Sequence, residues 1–451
     1  MPLPELIEIV PWKTPVRAKI TVPGSKSITN RALVLAALAK GEVTLKGALW
    51  SEDTQVMTEA LQQLGFQIKV AEDPAEVCNR TITVKGQGGK IPKAGTAASP
   101  LELFVGNAGT AARFLAALVC LGQGVYRLSG VPRMHQRPQA ALFKALRQLG
   151  YRIEAEQDDD KLPVRIFGAG PKAAHCQVSI GASSQFASAL LLAGRMGQWQ
   201  VEVTGSNTDE SPYVVMTERM IKSFPARGVF QIEPDASSGS YFWAAGWLAQ
   251  SGSPSFSVID PSAWPITVNN WPKSGWQVDA EFPEFLPLPA AVSRAAQLGD
   301  SIMTAIVLAA ETEAARTGNK AGVGAGRSIE FTDLGRLRVQ ECERVVALKT
   351  ELTKCGARVT EQGDTLVIVP VRLHGGEIDT YQDHRMAMCF AIMGLKVPGI
   401  KIKNPACVKK TFPNFFQKLA AAAPQGLGIE IWEIQRGHRV RRLSGSDLFA
   451  D

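Results

Sequence analysis

Seven cysteines are spread over 451 residues, at 78, 120, 176, 342, 355, 389 and 407, and no two stand in C-x-x-C spacing. No zinc-knuckle or dithiol pattern is therefore encoded, and an odd, scattered set argues against a disulfide framework. Such thiols fit a reducing compartment. No apolar run approaches 18 residues, so no membrane-spanning helix is expected. The opening MPLPEL lacks a basic stretch followed by an apolar one, so no secretory leader is expected and a cytoplasmic location is expected. The nucleotide P-loop is missing as well: it needs glycine directly before the lysine, and Ser25 precedes Lys26. The arginines near the C-terminal end are not interleaved with aromatics and match no nucleic-acid module.

What remains reads as a globular protein. Hydrophobic residues make up 45% and charged residues 20%, with 41 glycines and 27 prolines supplying turns. The length exceeds one ordinary core, so two or more domains are expected. A net charge of +7 fits anionic partners without requiring nucleic acid.

The chain is organised around residues 22–31, VPGSKSITNR. Pro23 and Gly24 end a β-like run over 18–22, and an apolar segment over 32–39 has the spacing of a buried helix. Ser25, Ser27 and Thr29 fall where hydroxyls and unpaired backbone N–H groups gather, and Lys26 and Arg31 add two cations. A helix start of this kind favours an anion, although any capped helix with two solvated charges would look similar.

Three stretches echo one another: LQQLGFQI at 61–68, LRQLGYRI at 146–153 and, more weakly, LTKCGARV at 352–359. Each reads as the end of a helix stopped by a left-handed glycine (Gly65, Gly150, Gly356), followed by a strand, a polar turn and a second strand. Such recurrence points to repeated α/β modules.

Further helix starts share the chemistry of the first. Residues 104–113 (FVGNAGTAAR) open an apolar run over 114–121, and Ser183, Ser184 and Gln185 precede another at 186–193. Residues 235–243 begin a fourth, and residues 383–390 a fifth with an aspartate cap. Residues 132–138 (PRMHQRP) read as a proline-bounded loop carrying two arginines, and residues 335–351 as one helix with Arg336, Arg338, Glu341 and Arg344 in its first turns. Residues 251–288, with Trp264, Trp271 and Trp276 among prolines, read as strands plus an extended surface excursion; residues 315–328 read as a mobile loop, and the chain after Pro424 as a solvated basic tail.

In order, PGSKSITNRAL (23–33), GNAGTAAR (106–113), PRMHQRP (132–138), SSQF (183–186), DASS (235–238), DSIMT (300–304), RVQECER (338–344), DHRMAM (383–388) and KKTFP (409–413) resemble the 5-enolpyruvylshikimate-3-phosphate synthase family. The resemblance runs from about 15 to 420 and leaves out 305–330 and 424–451. It implies an α/β fold of two lobes, an inside-out α/β barrel in which each domain holds three β-α-β-α-β-β repeats. Residues 1–22 with 235–423 would form one lobe, 23–234 the other, and 424–451 an extension, with hinge crossings near Pro23 and Asp235. It implies transfer of an enolpyruvyl group from phosphoenolpyruvate to shikimate 3-phosphate, by a monomer without cofactor or metal, with no membrane or nucleic-acid partner.

By the same resemblance, Lys26, Arg133 and Lys410 would surround the phosphoenolpyruvate phosphate with Asn107 and the Gly109 N–H, and Arg344 and Arg385 would hold its carboxylate. Ser183 and Ser184 would bind the shikimate phosphate, with Lys26, Ser27 and Arg31 nearby and Gln185 between the substrates. Asp300 is the expected base at the attacking hydroxyl and Glu341 the acid at the methylene, with Lys26 assisting. The family's lysine and asparagine are replaced by Gln340 and Arg336, both expected at shikimate 3-phosphate; four residues apart, they would share a helix face and let Arg336 supply the missing cation. Glu210 stands where a serine is expected, with Ser211 displaced by one, and Phe114 replaces a proline after Arg113; Phe114 leaves sensitivity to the phosphoenolpyruvate mimic glyphosate open. The rivals are a non-catalytic sugar-phosphate binder and the related UDP-N-acetylglucosamine enolpyruvyl transferase. The latter would show lysine-asparagine where Lys26-Ser27 stands.

Overall fold

The computed structural model describes residues 3–157, 159–205, 211–250, 260–311 and 328–450. Residue 210, residues 251–259 and nearly all of the 315–328 loop lie outside them. The chain divides into two compact units, residues 1–22 with 234–451 and residues 23–233. The first strands, β1 (Leu6–Ile9) and β2 (Ala18–Ile20), belong to the discontinuous unit.

In the continuous unit, α1 (Lys26–Leu38) starts at Ser25, whose N–H donates to Glu233 O at 2.8 Å. Gly24 is required there: a Cβ would sit 1.9 Å from Gly47 O, and its N–H donates to Asn79 Oδ1 at 2.8 Å. β3 (Glu42–Leu49) leads to α2 (Glu52–Gln63), which Ser51 and Thr54 cap reciprocally. Gly65, at φ +90°, turns the chain into β4 (Gln67–Glu72) and β5 (Asn79–Lys85). β6 (Leu101–Phe104), α3 (Gly109–Val119) and β7 (Gln123–Ser129) follow. Residues 132–138 are not all loop: Pro132–Gln136 forms a short α4, because proline is well placed at a first helical position. After α5 (Ala140–Gln148), Gly150 at φ +84° opens β8 (Arg152–Ala155) and β9 (Val164–Ala169). The unit closes with β10 (Ala174–Ser179), α6 (Ser184–Gly197), β11 (Trp199–Thr204), α7 (Ser211–Ser223) and β12 (Gly228–Gln231).

The discontinuous unit resumes with α8 (Ala236–Gln250), β13 (Ile266–Val268), β14 (Ala291–Ser293), α9 (Ile302–Ala310) and β15 (Ile329–Thr332). The tryptophan-rich segment is no surface excursion where it is described: Trp264 is 4% exposed, edge-on to Trp243, and Phe282 is fully buried. Residues 335–351 are not one helix. A 3-10 turn over Leu334–Val339 ends at Gln340 (φ −91°, ψ −137°), and α10 (Arg344–Lys354) starts afresh. The break has a cause. Glu343 accepts from Val346 N at 2.6 Å, and Arg338 spreads over Glu343, Glu361 and Asp364, each at 2.8 Å. Arg336 and Gln340 therefore do not share a helix face. Gly356, at φ +89°, precedes β16 (Arg358–Gln362) and β17 (Thr365–Val369). β18 (Glu377–Ile378), α11 (His384–Met393), β19 (Ile400–Lys403) and α12 (Phe415–Ala420) follow.

Among the described residues, three four-stranded sheets share one pattern. The orders are β12-β3-β5-β4, β6-β7-β9-β8 and β14-β15-β17-β16. In each, the first pair is parallel and the next two are antiparallel. Each ends on the strand that follows one of the left-handed glycines. Two-stranded parallel pairs, β10-β11 and β13-β2, accompany them.

The segment after Pro424 is not a solvated tail. It forms a hairpin of β20 (Ile431–Gln435) and β21 (His438–Leu443) at the edge of the sheet β18-β19-β1-β20-β21. Ile9 pairs with Ile431, and Ile431, Leu443 and Leu448 are all at most 1% exposed. The arginines there are largely paired. Arg439 grips both Glu8 oxygens at 2.8 Å, and Arg441 reaches Glu433 at 3.3 Å and Asp447 at 3.0 Å.

Candidate active site

In the continuous unit, Arg31 knits four helices. Its guanidinium donates to Thr217 Oγ1 at 2.7 Å, Ser27 O at 2.9 Å and Ser188 Oγ at 3.1 Å, and it stacks 5.4 Å from the Phe114 ring. At 2% exposure these bonds replace the water that a buried guanidinium loses. One turn earlier, Lys26 Nζ lies 3.2 Å from Asp53 Oδ2, a carboxylate that is almost fully buried while the lysine remains partly open.

The start of α3 gathers a second group. Gly106, at φ +52°, and Asn107 make the turn, and a Cβ on Gly109 would lie 2.4 Å from Arg113 Nη1 and 2.7 Å from Arg137 Nη2. Arg137 donates to Asn107 O at 3.1 Å, and Arg113 to Pro138 O at 2.8 Å and Gln185 Oε1 at 3.5 Å. Gln185 is thus joined to α3 from the start of α6, where Ser183 accepts from Gln185 N at 3.3 Å and Ser184 is buried. The guanidiniums at Gly109 are Arg113 and Arg137. Arg133 lies on the exposed side of α4 and donates to Gln136 at 3.0 Å.

The discontinuous unit holds a denser cluster. Asp300, in the turn before α9, has Arg385 Nη2 3.1 Å from Oδ2, and Arg294 Nη2 (3.3 Å), Gln340 Nε2 (3.4 Å) and Arg344 Nη1 (3.9 Å) around Oδ1. Burial alone would raise its pKa, but Arg385, Arg344 and Arg294 outweigh that and hold the carboxyl far below the usual range. Arg344 is fixed on Asp383 at 2.6 Å and Glu341 at 2.8 Å, and its Nη1 donates to Gln340 Oε1. Asp383 also caps α11, accepting from Arg385 N at 2.9 Å. Arg385 reaches Tyr241 OH on α8 at 3.4 Å, and burial keeps that phenol protonated. Asp279 accepts from Ser301 N at 3.0 Å and Oγ at 2.6 Å and binds Ser237; burial, then the nearby Asp300 charge, raises its pKa. Lys410, 7% exposed, ends the 3-10 turn Pro405–Lys410 that packs on α11. Arg336 stands in the turn before the break.

The structure therefore brings Asp300, Gln340, Glu341, Arg344 and Arg385 into one network. Sequence reading missed Arg294, Asp279 and Tyr241, which lie outside any charged motif. Arg113 and Arg137 were inside quoted motifs but carried no assigned role. Among the described residues no group of metal-ligating side chains occurs, and no helix is long and apolar enough to cross a membrane.

The family model for EPSP synthase (3-phosphoshikimate 1-carboxyvinyltransferase) matches residues 12–252 and 284–419. A 3-phosphoshikimate 1-carboxyvinyltransferase from Opitutus terrae is 37% identical over 455 residues, covering 95% of this chain and 100% of that protein. One from Trichormus variabilis is 36% identical over 448 residues, covering 92% and 98%. Among solved structures, an EPSP synthase from Acinetobacter baumannii aligns with a TM-score of 0.67 at 22% identity, covering 95% of this chain and 100% of that one. An enolpyruvyl transferase from Streptomyces tendae aligns at 0.63 with 16% identity, covering 95% and 98%. These structural matches speak for the mixed α/β fold.

Proposed function

The chain belongs to the EPSP synthase (3-phosphoshikimate 1-carboxyvinyltransferase) family, and from that membership we propose that it transfers the enolpyruvyl group of phosphoenolpyruvate to the 5-hydroxyl of shikimate 3-phosphate. Phosphate is released, as the shikimate pathway to aromatic amino acids requires. The observation that carries this reading is identity to such enzymes along nearly the whole chain.

Addition precedes elimination. The hydroxyl oxygen bonds to C2 of phosphoenolpyruvate as its proton leaves for a base, and C3 gains a proton. The intermediate then loses that C3 proton and phosphate, restoring the double bond. We assign Asp300 as the base and Glu341 as the acid at C3, with Lys26 assisting proton transfer. Lys26, Asn107, Gly109, Arg133, Gln185 and Lys410 take the phosphoenolpyruvate phosphate side, and Arg344 and Arg385 its carboxylate, for which planar forks suit two oxygens. Ser27, Arg31, Ser183, Ser184, Gln185, Arg336 and Gln340 serve shikimate 3-phosphate, Arg31 largely by holding α1, α6 and α7. In the structure Arg385 rests on Asp300. A substrate carboxylate that drew Arg385 away would strip one cation from the base and make it more basic at the moment it is needed.

The finer architecture belongs to the same proposal: an inside-out α/β barrel of two lobes with three β-α-β-α-β-β copies each, hinged near Pro23 and Asp235, acting as a cytoplasmic monomer. Excluding water from the two bound anions and orienting them could lower the barrier by about 7–11 kcal/mol. A phosphate-release assay tests the reading. Phosphate should appear with both substrates and not with either alone; no release with both would overturn it.

A further inference from the structure

Asp300 is approached by cations of different kinds. Arg385 and Arg344 have second partners that a substrate could rearrange, Tyr241 for one and Asp383 with Glu341 for the other. Arg294 comes from the end of β14, where its N–H donates to Thr332 O at 3.1 Å and so fixes the backbone beneath the side chain. Its side chain is 1% exposed, against 17% for Asp300, and Nη2 reaches Oδ1 at 3.3 Å. Gln340 Nε2 meets the same oxygen at 3.4 Å from the more open side.

We propose that Arg294 is a positioning residue for the transfer reaction, holding Asp300 Oδ1 from within the protein so that Oδ2 is presented to the substrate hydroxyl. The inference rests on the transferase reading above. Arg344 and Arg385 serve substrate as well as carboxylate, whereas Arg294, enclosed by protein, stays with Asp300 through turnover. It keeps the carboxylate ionised and fixes its rotation about the Cβ–Cγ bond. The charges facing Asp300 are Arg294, Arg344 and Arg385 on one side of the balance, and Glu341 and Asp279 on the other. Removing one cation raises the pH at which the base protonates. Activity needs the deprotonated form, so the acid limb of kcat must move to higher pH.

The test compares wild-type protein with Arg294→Met and Arg294→Lys, measuring kcat and KM against pH by phosphate release and checking the fold by circular dichroism. Arg294→Met should lose about tenfold in kcat at pH 9, through a misplaced carboxylate, and progressively more as the pH falls toward 5, with KM for phosphoenolpyruvate within twofold. Arg294→Lys should restore the position of the acid limb, with a smaller loss in kcat. A folded Met variant whose loss is the same at every pH would overturn the proposal. So would a loss confined to KM, or an unfolded Met variant beside a Lys variant with a shifted limb. Wild-type protein without turnover would overturn the transferase reading itself, a result distinct from any of these.

Discussion

Arg344 lies side-on against Asp383, with Nε 2.6 Å and Nη2 3.2 Å from its two oxygens, and neither side chain is more than 1% exposed. The same aspartate caps α11, so one carboxylate both neutralises a buried guanidinium and aligns the helix that carries Arg385.

Asp383→Ala should therefore be severe. It leaves the buried Arg344 with Glu341 at 2.8 Å and Asp300 only at 3.9 Å, and it removes a cap; breaking a buried pair in this way costs about 3–5 kcal/mol. Urea unfolding followed by tryptophan fluorescence should show the loss as a lower midpoint. An unchanged midpoint would mean that the pair adds nothing to stability.

Two glycines should respond differently to alanine. At Gly24 the new Cβ meets the Gly47 carbonyl at 1.9 Å, a backbone atom that cannot move without shifting β3. Gly24→Ala should cost at least about 1–3 kcal/mol of stability. At Gly109 the nearest atoms are the far ends of Arg113 and Arg137. Gly109→Ala should keep the thermal midpoint and raise KM for phosphoenolpyruvate roughly tenfold, about 1.4 kcal/mol. Thermal melts and initial rates on both variants separate the cases.

Deleting residues 425–451 should not be silent. The cut strips β20 from β1 and leaves Ile7 and Ile9, both fully buried, on an open sheet edge. Soluble yield and turnover should both fall steeply; a soluble, active truncation would contradict the hairpin's structural role.

Acid should loosen the same hairpin. Arg439's hydrogen bonds, opposed by burial, hold Glu8 below its ordinary value of 4.5. A depressed carboxyl adds stability that is fully present above the unfolded value and fades as pH falls through the folded one. Protection of the β20 and β21 amides, corrected for their intrinsic exchange rates, should fall below about pH 4.5, and Glu8→Gln should weaken that dependence while lowering protection at neutral pH.

Much of this was legible before any coordinates. The hydroxyl-rich helix starts at Ser25 and Ser183 and the aspartate cap at Asp383 are local chemistry, and the glycines at 65, 150 and 356 stop helices because only they take positive φ cheaply. What escaped depended on distant partners. The helical period over 335–351 was real, but Glu361 and Asp364 draw Arg338 out of register with it. The tail's arginines looked solvated because Glu8 lies more than four hundred residues earlier. The short α4 was hidden by the prolines at 132 and 138; the first sits comfortably at the helix start and the second lies beyond its end. Arg294 carried no signal, since a lone arginine between β14 and a polar turn resembles any surface residue.

The central place of β1 between β19 and β20 sets an order of assembly during translation. The unit of residues 23–233 is contiguous and can collapse as soon as it leaves the ribosome. The strand that precedes it must wait, unpaired, for partners more than 390 residues downstream. A segment made before that unit is thus among the last to find its neighbours, and its hydrophobic side stays uncovered until β19 and β20 have been made.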